Sequence, residues 1–194
     1  MVNRLLNKVA IITGSASGIG RAIALLFASE GATVIVSDLQ PHSLLSTAEG
    51  PHGHLTTVEE IALSGGTAVF VRANMAVAAD VAALVQEAVT LFGRLDIMVN
   101  NAGTGEDLKK VWEYGEDQWE RVMGVNLKGV FLGTKYASGV MVGQEARGGS
   151  GDRGWIVNVA SVWGLAGRSN YGECYDGFLP PSFSLEGTRW ERKG

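Results

Sequence analysis

The chain of 194 residues is 46% hydrophobic and 19% charged, with 27 Gly and 4 Pro, a balance that suits one globular domain with a sizeable core. Its net charge of -4 leaves no basic stripe for nucleic acid, and no apolar run reaches the ~18 residues of a membrane span. The lone Cys174 allows no internal disulfide, and the short, broken apolar run at the N-terminus is no signal peptide, so a soluble cytoplasmic protein is expected.

In chain order, "KVAIITG" (Lys8–Gly14) is a β-branched run ending at glycine and predicts a strand. Ile19, Ala22, Ile23, Leu26 and Phe27 then recur on one face of a helix that Gly31 stops. "TVIVSD" (Thr33–Asp38) is a second strand; Gln40 to Leu55 is a loop rich in turn formers, and Thr56 to Ser64 a short helix. "TAVFVRA" predicts a third strand, Val81, Leu84, Val85 and Ala88 a helix closed by Gly93, and "LDIMVNNAG" a fourth strand running into a loop. A long helix from about Asp117 carries Trp119, Val122, Met123, Asn126, Leu127 and Val130 on one face, with Trp119 expected in the core. A glycine-rich link, Gly148–Gly154, leads to a fifth strand, "WIVNVAS". Strands alternating with helices give an α/β fold with a Rossmann-type, doubly wound parallel sheet of five strands. From Cys174 onward no period persists and Pro180-Pro181 opposes a helix. The chain therefore divides into residues 1–173, a nucleotide-binding domain, and 174–194, an irregular tail.

"TGSASGIG" (Thr13–Gly20) places glycines at 14, 18 and 20 between a strand and a helix. Glycine lets a pyrophosphate approach the backbone, and the helix N-terminus supplies N–H donors and partial positive charge. Asp38 ends the second strand, where a carboxylate accepts hydrogen bonds from a ribose and repels a 2′-phosphate. NAD is thus favoured over NADP.

Together with "NNAG" (Asn100–Gly103), "VNLKG" (Val125–Gly129) and "VNVAS" (Val157–Ser161), this turn resembles the short-chain dehydrogenase/reductase family over Asn7 to Glu173. The resemblance implies an NAD-dependent oxidoreductase acting on an alcohol or ketone. It implies that Gly14, Ser17, Gly18, Ile19 and Gly20 line the pyrophosphate, that Asp38 holds the adenosine ribose, and that Asn74 stands where an Asp usually meets adenine. Asn101, Ala102 and Gly103 border the cofactor, Asn126 helps hold a water in a proton relay, and Ser161 hydrogen-bonds the substrate oxygen. It also implies a subunit interface, hence a homo-oligomer or pairing with a full-length relative.

The family's proton donor is a Tyr thirteen residues after the Ser, aided by a Lys four residues later. Here those positions hold Cys174 and Phe178. Tyr175 is the nearest substitute, and Leu179 stands four residues beyond it. A free Tyr, with a pKa of about 10, is only ~0.1% phenolate at pH 7, so alcohol oxidation without the Lys lacks its base. Impaired turnover is expected, in a chain truncated or altered after Glu173. A retained intron, a frameshift, an early stop and a genuine short isoform each account for such a boundary. The alternatives to an enzyme are a non-catalytic NAD-binding protein and a gene-model product without a stable fold. His42, His52 and His54 read as surface loop residues rather than a metal site, Cys174 as incidental, and Trp163 as a candidate pocket wall.

Overall fold

Val9–Thr13 (β1) is apolar at four of its five positions and buried at all five, as a strand covered on both faces must be. In the computed structural model, which describes residues 3–42, 55–105, 110–147 and 151–161, β1 is the centre of a five-stranded parallel sheet. The strands are β2 (Thr33–Asp38), β3 (Thr67–Arg72), β4 (Ile97–Asn100) and β5 (Trp155–Asn158), in the order β3-β2-β1-β4-β5. Ile11 sits opposite Ile35 on β2 and Met98 on β4. The winding reverses between β1 and β4, which opens a crevice at the C-terminal edge of the sheet.

Side chains alternate across the strands, so the two faces carry separate cores. Val9, Ile11, Ile35 and Met98 pack with Val81, Leu84 and Val85 of α3 (Ala78–Phe92) and with Leu132 and Met141 of α5 (Val130–Gly143). Ala10, Ile12, Val34 and Val36 pack with Ala24 of α1 (Gly18–Ser29) and Ile61 of α2 (Thr57–Leu63). Ile11, Ile12, Ile35, Ile61 and Leu84 are all but inaccessible to solvent, and each such side chain contributes roughly 1.5–3 kcal/mol by leaving water. Two local devices set α2: Thr56 accepts from the Glu59 N–H at 3.2 Å, and the Glu59 carboxylate accepts from the Thr56 N–H at 2.7 Å.

Two expected faces are corrected. On α1 the inward residues are Gly20 and Ala24, with Ile23 and Phe27 packed beside them, while Ile19 and Leu26 are 67% and 54% exposed. The helix is rotated so that its smallest residues meet the sheet: a Cβ on Gly20 would lie 2.3 Å from the Gly14 carbonyl oxygen. The long helix expected after Asp117 is interrupted. It begins as α4 (Glu116–Met123), passes through a π-helical turn, Gly124–Gly129, and resumes as α5. A π turn carries more residues than an α turn and shifts the inward face. Gly129 at its end and Leu132, Gly133, Ala137 and Met141 beyond it are buried, and Phe131 is exposed. Trp119, expected in the core, is 42% exposed, because Val122 takes the one buried position of its short helix.

Among the described residues β5 pairs with β4 alone and so forms one edge of the sheet. At the N-terminal edge, Asp96 ties three segments together. Its carboxylate accepts from the Val9 N–H at 2.9 Å and from Arg94 Nε and Nη2 at 2.9 and 2.6 Å. Its backbone carbonyl accepts from Trp155 N–H at 2.8 Å. Asp96 and Arg94 are 2% and 8% exposed.

Candidate functional site

At the opposite edge, the C-terminal ends of β1, β2 and β4 surround a cleft of about 850 Å³. Its lining includes every residue expected to hold the cofactor: Gly14, Ser17, Gly18, Ile19, Gly20, Asp38, Asn74, Asn101, Ala102 and Gly103. His42, Thr104, Arg121 and Val125 line it as well. The cleft forms because the turn after β1 is bent tightly and held from three sides. Gly14 has φ +66°, which favours glycine, and a Cβ there would lie 2.8 Å from the Ala102 Cα. The Ser17 side chain makes no capping hydrogen bond to α1, so the start of the helix, Gly18 to Gly20, faces the cleft without a side-chain cap.

The bonds that hold this turn come partly from residues the sequence reading passed over. The Thr13 hydroxyl accepts from both the Asn101 and Ala102 N–H groups at 3.0 Å and donates to the Val99 carbonyl at 3.2 Å. The Asn101 amide donates to the Thr13 carbonyl at 2.9 Å. Asn101 therefore shapes the cleft by locking β1 to β4, and its side-chain donor is spent on the protein. Ser15 donates its hydroxyl to the Ile12 carbonyl at 2.6 Å and accepts from the Ser37 N–H at 3.0 Å. The sequence signal for Thr13 and Ser15 is a hydroxyl on either side of the first glycine, but all partners of these hydroxyls except Ile12 lie on β2 or β4 or just after β4.

Asp38 orients its carboxylate through two backbone donors, Ala16 N–H at 3.1 Å and Leu39 N–H at 2.8 Å. Asn74 forms an Asx turn, its side-chain oxygen accepting from the Ala76 N–H at 3.0 Å. Its backbone N–H donates to Asp80 at 3.0 Å. Asn126 sits in the π turn and grips the Thr104 backbone at both ends. It accepts from the Thr104 N–H at 2.8 Å and donates to the Thr104 carbonyl at 2.9 Å. It thereby fixes the loop that walls the cleft. On α4, the Arg121 guanidinium, 2.8 Å from Asp117, holds that carboxyl below its usual range. Ser161 lies three residues beyond β5, half-buried, and neither it nor Asn126 lines the cleft. Tyr175, Cys174, Trp163, His52, His54 and the tail 174–194 lie outside the described residues.

The sequence matches the family model described as short chain dehydrogenase over residues 8–175. The chain belongs to the short-chain dehydrogenase family. It is 40% identical over 170 residues to the cyclohexanol dehydrogenase of Acinetobacter sp. (strain SE19), covering 88% of this chain and 61% of that protein. It is 39% identical over 171 residues to a 3-oxoacyl-(acyl-carrier-protein) reductase of Thermotoga maritima, covering 87% and 62%. A short-chain dehydrogenase/reductase from Burkholderia phymatum, solved in complex with NAD, superposes with a TM-score of 0.74 at 34% identity. That match covers 89% of this chain and 55% of the other. The chain thus spans about three fifths of the length of the curated relatives it matches.

The cleft's own chemistry fits a dinucleotide. The backbone is bare where a Cβ would intrude at Gly14 and Gly20, one helix start is uncapped, and a carboxylate held by two N–H donors stands at the adjoining strand end. No described helix is long and apolar enough to cross a membrane.

Proposed function

We propose that this chain is the cofactor-binding part of an NAD-dependent oxidoreductase acting on an alcohol or ketone. Residues 1–173 form the binding unit and 174–194 stand outside it. The observation that carries the proposal is the cleft itself: ten residues chosen from sequence converge on its wall, beside an uncapped helix start. When bound, NAD supplies the acceptor or donor of a hydride. The chain's own part is to seat the pyrophosphate against Gly14 and Gly18 to Gly20, and the adenosine ribose against Asp38. The Asp38 carboxylate favours NAD over NADP because it accepts from two hydroxyls and repels a phosphate. Ser161 is assigned to hydrogen-bond the substrate oxygen, and Asn126 to hold the wall of the site and the water relay beside it.

Proton transfer is the weak step. Cys174 and Phe178 occupy the positions of the expected Tyr and Lys. Tyr171 and Tyr175 are the nearby phenols, and Tyr175, one residue from the expected position, is the better placed; neither has a Lys four residues on to lower its pKa. Turnover is therefore expected to be low, and lower for alcohol oxidation than for carbonyl reduction, since a neutral phenol is still an acid. That same gap favours a second reading, a non-catalytic NAD-binding protein, alone, as a homo-oligomer or paired with a full-length relative. Calorimetric titration of the purified chain with NAD and NADP tests the shared core of both readings. Saturable binding of NAD, tighter than of NADP, is expected; a cooperatively melting sample that binds neither overturns both. Turnover with secondary alcohols and ketones, and its loss in Tyr175→Phe, separates the enzyme from the binding protein.

A further inference from the structure

We propose that Thr57, 42 positions from Ser15 in sequence, is a positioning residue that aims the Asp38 carboxylate from the far side of the turn. This rests on the proposed dinucleotide reading and assigns to it a residue outside the cleft wall. Thr57 opens α2 and is fully buried, although it is polar. Its hydroxyl lies 2.9 Å from Arg21 Nη1 and 2.7 Å from the Ser15 carbonyl oxygen. A guanidinium has no acceptor, so Arg21 must donate, and the single Thr57 proton then goes to Ser15. Arg21 is itself held by the Leu55 carbonyl at 3.0 Å and the Glu60 carboxylate at 2.5 Å, so the direction of the chain of bonds is set by charge.

The Ser15 carbonyl and the Ala16 N–H belong to one planar, trans peptide unit and point opposite ways. Pinning the oxygen toward α2 therefore turns the N–H toward β2, where it meets Asp38 Oδ2 at 3.1 Å. Leu39 N–H holds the other oxygen. The carboxylate that sorts NAD from NADP is thus locked on one side by its own chain neighbour. On the other it is locked by a peptide plane whose orientation is decided on α2. None of this needs Thr57 to touch the cofactor.

The test compares wild type, Thr57→Val and Thr57→Ser. In the free protein, hydrogen exchange is followed at the Ala16 amide, with Ile11 and Ile35 as strand references. Thr57→Val should speed Ala16 exchange about tenfold or more while the strand amides hold, and Thr57→Ser should restore protection. With NAD and NADP titrated separately, Thr57→Val should weaken NAD about tenfold and narrow the gap to NADP, and Thr57→Ser should recover both. An unchanged Ala16 exchange rate, or equal weakening of both dinucleotides, overturns the proposal by reducing Thr57 to a fold residue. Should Thr57→Val fail to fold, Arg21→Leu removes the directing donor and keeps the hydroxyl. A smaller change of the same kind is expected there, and none overturns the proposal. A wild type that binds neither dinucleotide sinks the functional reading, while the exchange result still judges the Thr57 lock by itself.

Discussion

The two edges of the sheet are built from the same kinds of polar residue and end in opposite states. At the N-terminal edge, the Asp96 carboxylate is consumed by the Val9 N–H and the Arg94 guanidinium, and its backbone carbonyl by the Trp155 N–H, under almost complete burial. At the C-terminal edge, Thr13, Ser15, Asn101 and Asp38 also bond mainly to backbone, yet the space between them stays open as the cleft. The lesson is that polar satisfaction has two uses. At one edge it closes the fold; at the other it spends side-chain donors on the turn, so that bare backbone is left to face a ligand.

Breaking the closed edge should have the largest effect. Asp96→Ala leaves Arg94 buried without its partner and is expected to cost about 3–5 kcal/mol in urea unfolding at neutral pH. A loss under 1 kcal/mol would mean that the pair is dispensable. At the open edge, Asp38→Asn should scarcely alter unfolding but weaken NAD about ten- to hundredfold, since hydrogen bonds to a charged group are worth roughly 1.5–3 kcal/mol. NADP should lose less. Equal loss for both, measured calorimetrically, would remove Asp38 as the discriminating group. Gly20→Ala should do both kinds of damage, because its Cβ would collide with the Gly14 backbone. About 1–3 kcal/mol of stability is at stake, along with NAD affinity. Gly139→Ala in α5 meets nothing within 4 Å and is the matched control, expected to gain up to roughly 1 kcal/mol.

The smallest effect sits on the surface, away from both edges. Arg4, 2.7 Å from Glu30, holds that carboxyl below its ordinary 4.5 through a side-chain hydrogen bond. A depressed carboxyl pKa adds stability that is present above the unfolded value and lost as pH falls through the folded one. Arg4→Ala should therefore flatten a slight decline in melting temperature below pH 4.5 and leave neutral pH almost unchanged. An identical acid-side slope in the variant would dissociate Arg4 from it.

Much of the site was legible because its signals are local. The glycine spacing after β1, the acid ending β2 and the "NNAG" after β4 each lie within a few residues, and strand alternation alone carries them to one edge of a parallel sheet. The observed faces of α1 and of the long helix after Asp117 differ from the apolar periodicity for a common reason. Apolar periodicity says which side of a helix could be buried, but not how closely the helix approaches the sheet. On α1 the close approach at Gly20 and Ala24 turned Ile19 and Leu26 outward. On the helix carrying Asn126, the π turn moved the inward face to small residues such as Gly133, whose Cβ would strike Asn100 Oδ1.

By itself, the sequence determined the family, the order of strands and helices, and the residues that line the cleft, because each follows from spacing along the chain. The tertiary structure alone decided which donors are spent and which remain free to serve a ligand. Asn101 is committed to Thr13, Asn126 to Thr104, and Thr57 to Ser15. Those bonds join residues 22 to 88 positions apart, and a hydrogen bond depends on distance and direction in space, which no pattern of neighbours along the chain encodes.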